Sequence, residues 1–103
     1  MRKIIGVYCI TNLINEKIYI GSSSNIEDRW EYHRRLGKVY DGNRKNQLYN
    51  DIFLYGIENF DFKVVKECSI SELESEEQKE IDKYPKSKIY NFEKKSIIDS
   101  AWG

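Results

Sequence analysis

Residues 5–21, IGVYCITNLINEKIYIG, decide how the rest of the chain is read. Two apolar runs flank a polar tip, and each run sets a tyrosine close to a glycine, a pattern that predicts a β-hairpin. Successive side chains of a strand point to opposite faces. Gly6 and Tyr8 therefore share one face while Val7 and Cys9 share the other; on the return strand Tyr19 and Gly21 oppose Ile18 and Ile20. The economical arrangement buries Ile5, Val7, Cys9, Ile18 and Ile20, and turns both phenols toward a common open surface. Glycine inside a strand weakens it and marks a place where a ligand or another backbone comes close. Two hydroxyls over a floor without side chains suit a flat, oxygen-rich guest. An ordinary hairpin whose tyrosines pack on neighbouring helices accounts for the same residues.

With 103 residues the chain has room for one small domain, 1–103, and none for a second core. No apolar run is long enough to span a bilayer, and the start MRKIIGVYCI lacks the layout of a secretion signal. Cys9 and Cys68 fall in expected strands and make no metal-binding spacing. Buried, reduced thiols and an intracellular protein are expected. The net charge of zero hides an asymmetry: residues 1–48 hold nine Lys/Arg against five Asp/Glu, and residues 49–103 hold eight against twelve. A domain that grips DNA by charge alone is basic overall, because phosphate neutralisation supplies most non-specific affinity. Any hold of this chain on DNA is therefore expected to be weak, with delivery left to something else.

Ser24-Asn25-Ile26-Glu27 reads as a capping box opening a helix that runs to Leu36, with Gly37 as its stop. With Ile26 at zero and about 100° per residue, Trp30 and Leu36 define a buried arc, and Arg29 and His33 fall inside it. A guanidinium on a packed face is costly unless it is paired or meets a ligand. Arg29 is open to two readings, a structural ion pair and an arginine aimed at phosphate. His33, one turn on, is either a ligand contact or a satisfied packing residue. Arg34 and Arg35 lie outside the arc. With Lys38, Arg44 and Lys45 of the following loop they form a charge cluster, either solvated or a track for a phosphate backbone.

A second helix is expected over about residues 46–55, with Leu48, Ile52 and Tyr55 as its inward stripe and Phe53 and Leu54 widening it. A third strand follows at about residues 61–69, completing a three-stranded sheet. Ser71-Glu72-Leu73-Glu74 reads as another capping box, opening a third helix whose end Pro85 fixes. On that helix Glu77 lands in the middle of the apolar stripe of Leu73, Ile81 and Tyr84, while Glu80 skirts one edge. An inward glutamate needs a compensating cation, from the protein or a metal. Arg29 and Glu77 either pair with each other or share a site with a phosphate and a metal between them.

Gly6-Val7-Tyr8 and Tyr19-Ile20-Gly21, ten residues apart, resemble the paired signature of GIY-YIG nucleases, with valine in place of the usual isoleucine. The phrase Leu54-Tyr55-Gly56-Ile57-Glu58-Asn59-Phe60 resembles the family's helix-to-strand joint, and Asp99-Ser100-Ala101-Trp102-Gly103 resembles the end of the nuclease module in phage homing endonucleases. The resemblance covers almost the whole chain. It implies an α/β (α+β) domain: a small three-stranded, mainly antiparallel sheet flanked by about three helices. It also implies hydrolysis of DNA with one divalent metal, Mg²⁺ or Mn²⁺ in its place. Tyr8 and Tyr19 carry over as the signature tyrosines, Tyr8 contacting the attacking water. Arg29 carries over as the catalytic arginine, with His33 on the same helix, Glu77 as the metal ligand (Glu80 the runner-up) and Asn91 as a supporting asparagine. Some members place a further histidine where this chain has Asn43, Arg44 and Lys45, which leaves that loop without a proton-transfer group. A monomer is expected, with a DNA-binding region following the module in a longer protein. The rival reading is a non-catalytic nucleic-acid-binding or protein-interaction module on the same scaffold.

Overall fold

The computed structural model describes residues 3–39 and 47–91, with the side chains of residues 37–39 left out. Strand β1, Gly6–Asn12, lies at the centre of a sheet of order β2-β1-β3, flanked by β2, Ile18–Ser23, and β3, Phe60–Glu67. Both pairings are antiparallel, so of the mixed and antiparallel arrangements the sheet takes the second. The hairpin closes through its asparagines: Asn12 Oδ1 accepts from the Ile14 amide at 2.8 Å and Asn15 Oδ1 from the Lys17 amide at 2.9 Å. Such side-chain-to-backbone bonds are why asparagine suits turns.

Helix α1, Ile26–Val39, and helix α2, Gln47–Tyr55, cover one face of the sheet, and helix α3, Leu73–Ile81, covers the other. The first core holds Tyr8, Ile10, Ile26, Leu48, Tyr49, Ile52 and Phe60; the second is wholly aliphatic, with Val7, Ile18, Ile20, Ile81 and Ile89. Each such side chain taken fully from water contributes roughly 1.5–3 kcal/mol. Over β1 and β2 the sheet thus has no open face, while Asp61, Lys63 and Val65 of β3 stay exposed. Tyr8 and Ile10 are as buried as Val7 and Ile20, whereas Ile5 and Cys9 are only half-buried. Cys68 is also half-buried, just beyond β3, and both thiols are free.

Several local boundaries move from the sequence reading. Helix α1 is capped by Asn25, whose Oδ1 accepts from the Asp28 amide at 3.3 Å, not by a Ser24–Glu27 box. It also runs through Gly37 to Val39, a glycine inside a helix costing only about 1 kcal/mol. The second capping box sits two residues early: the Ser69 amide and hydroxyl both donate to Glu72, each at 3.0 Å, opening a short turn into α3. Helix α3 stops at Ile81, short of Pro85. On α2 the inward residues are Leu48, Tyr49, Asp51 and Ile52. Phe53 and Leu54 face water, because at about 100° per residue they fall outside the arc centred on Leu48, Ile52 and Tyr55.

Residues 89–91 join the outer edge of β2, Ile18 and Ile89 forming a parallel bridge. Ile89 enters the aliphatic core and Tyr90 packs against the aromatic one. This short segment therefore ties the two layers together.

Candidate active site

The site forms where the polar end of β2 lies between α1 and α3. Tyr8 faces Gly21 across the β1–β2 pair. A Cβ on Gly21 would stand 2.5 Å from the Tyr8 hydroxyl and 3.0 Å from the Tyr19 ring, so the glycine is the gap that the Tyr8 phenol occupies. At Gly6 the backbone of β3 fills the corresponding space, with Lys66 O where a Cβ would go. The two glycines of the hairpin thus admit a neighbour each, one a phenol and one a strand.

Tyr8 has no exposed surface, which overturns the expectation that both phenols open onto a common surface; Tyr19, half-buried, is the one within a water's reach. The Tyr8 hydroxyl bonds His33 Nε2 at 2.8 Å, and His33 Nδ1 bonds the Tyr49 hydroxyl at 2.8 Å. His33, 1 % exposed, is thus the middle of a buried Tyr–His–Tyr chain. Burial, aided by the charge of Arg29, pushes its pKa down to about 3, so it is neutral at pH 7. Burial likewise raises Tyr8 and Tyr49 well above the usual phenol range.

Arg29 lies half-buried on α1 with its guanidinium 5.0 Å from the centre of the Tyr32 ring. Glu77, 3 % exposed, accepts a 2.6 Å hydrogen bond from the Ser22 hydroxyl. Alternation along β2 explains how both helices reach one place. Ser22 points with Ile18 and Ile20 toward α3 and Glu77. Ser23 points the other way, its Oγ accepting from the Asn25 amide at the start of α1. Tyr8 registers the convergence: after burial, its phenol responds to Tyr19, then to Arg29, which lowers its pKa, then to Tyr49 and Glu77. Glu80, though buried, sits elsewhere, bound to Lys83 at 2.9 Å and to the Tyr84 hydroxyl at 3.4 Å.

On the Arg29 side an open polar hollow of about 230 Å³ is lined by Ser23, Ser24, Asn25, Asp28, Arg29, Tyr32 and Arg35. Among the described residues no group of three His, Cys, Asp or Glu side chains could hold a metal ion; Glu77 is the buried carboxylate at this end of β2, and Asp28 borders the hollow.

Residues 4–91 match the family model of the GIY-YIG catalytic domain. The chain belongs to the GIY-YIG family. Two solved structures share the fold of this GIY-YIG domain. One is an alanine mutant of the catalytic domain of intron endonuclease I-TevI, 24 % identical, with TM-score 0.71, covering 85 % of this chain and 92 % of its own. The other is the catalytic domain of homing endonuclease I-TevI, 22 % identical, with TM-score 0.66, covering 92 % and 99 %. No curated protein matches.

Of the residues singled out in the GIY-YIG signature reading, Tyr8, Tyr19, Arg29, His33 and Glu77 come together. Asn91 serves β2 and not the acid: its Nδ2 donates to Ile20 O at 2.8 Å and its Oδ1 accepts from the Ile20 amide at 3.1 Å. It clamps the strand that carries Tyr19 and Gly21. Arg34 is half-buried, its guanidinium 4.8 Å from the centre of the Phe62 ring, and so is no free surface cation; Arg35 borders the hollow. The side chain of Lys38, and Arg44 and Lys45 entirely, lie outside the described residues, as does the chain end from residue 92. Sequence reasoning missed Ser22, although its parity with Ile20 already placed it on the face of the acidic helix. It also missed Tyr49, hidden beside the apolar stripe of α2, and Tyr32 beneath Arg29.

Proposed function

We propose that the chain is the catalytic module of a Mg²⁺-dependent DNA endonuclease of the homing type. One observation carries this reading: at the end of β2 the buried Glu77 of α3 takes the Ser22 hydroxyl at 2.6 Å, while the next residue, Ser23, borders the hollow lined by Arg29 of α1. A carboxylate able to take a cation and a guanidinium able to take an anion, set on either side of one strand end, suit a metal-bound phosphate. The donor set suits the metal as well. Mg²⁺ keeps several waters and accepts one carboxylate plus substrate phosphate, so Glu77 alone would hold it. When bound, the ion supplies Lewis-acid stabilisation of the phosphate oxygens.

The remaining roles fall to the chain's own groups. Arg29 neutralises charge that develops on the equatorial oxygens of the phosphate during attack. Tyr19, half-buried, contacts the attacking water, with Tyr8 behind it. Both Tyr8 and His33 are held neutral by burial, so they orient hydrogen bonds and do not store a charge. The polar hollow beside Arg29 takes the DNA backbone next to the cut, Arg35 adding a phosphate contact. A net charge of zero favours a partner or an appended region for tight DNA binding, and it is also the observation that supports the rival reading of a non-catalytic binding module.

A supercoiled-plasmid assay decides between them. The wild type nicks the plasmid with Mg²⁺ or Mn²⁺ and not with EDTA, while Glu77→Ala, folded by circular dichroism, is inert. Equal inertness of two folded proteins in Mn²⁺ gives the rival reading the site.

A further inference from the structure

We infer that Tyr49 is a positioning residue that locks His33 in its Nδ1–H tautomer and thereby turns the hydroxyl proton of Tyr8 inward, away from the site. The inference rests on the nuclease reading for its consequence, but its structural part stands on hydrogen-bond counting alone.

The Tyr8 hydroxyl is fully buried and has one hydrogen-bond partner among the described residues, His33 Nε2. A buried O–H left without an acceptor is strongly disfavoured, so this proton goes to Nε2. Nε2 must then be the bare nitrogen of the ring. A neutral imidazole carries its one proton on the other nitrogen, so Nδ1 is the donor and the Tyr49 oxygen, 2.8 Å away, accepts. The direction of both bonds follows from the isolation of Tyr8. With its single proton spent on His33, Tyr8 can only accept from its remaining neighbours, of which Tyr19 and Arg29 have the largest influence on it. The opposite tautomer would have His33 donate to Tyr8 and leave the Tyr8 proton in search of an acceptor where the site needs one itself. Tyr49 touches neither phosphate nor water in this scheme; it acts through His33, as an orienting group does in a triad.

His33 is the only histidine in the chain, so its ring nitrogens can be read without assignment ambiguity. Long-range ¹H–¹⁵N correlation spectra of the full ¹⁵N-labelled chain at pH 7, free of any histidine tag, are expected to show Nδ1 protonated and Nε2 bare. A protonated Nε2, alone or with Nδ1, overturns the inference without reference to activity. In Tyr49→Phe the Nδ1–H loses its acceptor, and the ring is expected to shift toward the Nε2–H form. Plasmid nicking by that variant is expected to fall in kcat by roughly tenfold with KM changed by less than about twofold, since an orienting bond acts on the chemical step. An unchanged tautomer in Tyr49→Phe, or a loss confined to KM, also overturns it. Should the wild type nick no DNA with any metal, the nuclease reading fails while the wild-type spectrum still decides the tautomer.

Discussion

The two faces of the sheet are sealed by different chemistry. On the α3 side five aliphatic residues make a core whose main demand is shape, and the buried Glu77 meets Ser22 at its rim. On the α1–α2 side the core is aromatic and titratable: Tyr8, Tyr49 and His33 are all buried and joined through hydrogen bonds. The aliphatic face can supply an acid at its rim without disturbing its packing. The aromatic face holds its polar groups inside, where each proton must have a place to go. The proposed phosphate-cutting site draws on both, and the chain sets α1 and α3 on either side of the end of β2.

The strongest test of this division is Arg29→Ala. If the guanidinium serves the transition state, metal-dependent nicking falls by about 10²–10³-fold, as when a single charge-stabilising donor is removed, while the melting temperature holds. Loss of the fold in that variant would make Arg29 part of the aromatic core, and the contrast between the faces would no longer explain the site. Next in size is Gly21→Ala. The new methyl group lands 2.5 Å from the Tyr8 hydroxyl, and overpacking of this kind costs roughly 3 kcal/mol. Chemical denaturation measures it, with loss of nicking expected even where the variant stays folded. A neutral result would mean the aromatic face yields as readily as the aliphatic one.

The sheet, its order of elements and the two misplaced charges were legible in the sequence because each is a local signal. An arginine or a glutamate on an apolar helical stripe is recognisable from spacing alone; in the structure Glu77 is buried against Ser22 and Arg29 is half-buried. The burial of Tyr8 was not legible. Strand alternation puts it on the face opposite Val7, but only the positions of α1 and α2 decide whether that face is open. Tyr49, and the partner of Asn91, escaped for a related reason. Tyr49 meets His33 from another helix, and Asn91 grips a strand 71 residues earlier; neither partner can be inferred from neighbours in sequence. The exposure of Phe53 and Leu54 was within reach of the same angular count that found Glu77.

Tyr90 offers a smaller test, since it joins the faces. Its hydroxyl donates to Asp51 Oδ2 at 2.6 Å and accepts from Asn12 Nδ2 at 3.0 Å, and burial beside Asp51 pushes its pKa up to about 12. Tyr90→Phe leaves a carboxylate and an amide, both buried, without that partner, and about 2 kcal/mol of stability should go. Nicking at a temperature where the variant is folded should survive, because the Asn91 clamp on β2 is untouched. Parallel loss of activity would show that the site depends on the whole seam and not on the clamp.

The mildest expectation concerns pH and belongs to the aromatic face alone. His33 has a folded pKa of about 3, below the ordinary histidine value near 6.5. The unfolded chain therefore binds the proton first, so stability is complete above about pH 6.5 and is lost as pH falls toward the folded value. Between pH 6.5 and 5.5 the linkage amounts to about 1 kcal/mol. Glu72, exposed, and Glu76, half-buried, whose pKa values are lowered by Ser69 and by Lys66, add their own losses only at more acid pH. Since the chain has no second histidine, urea titrations across this window isolate the effect. His33→Gln should flatten the profile there while lowering stability at pH 7. A wild-type profile already flat from pH 6.5 to 5.5 would mean that His33 takes up its proton in the folded state, and that the aromatic face tolerates charge as the rim of the aliphatic face does.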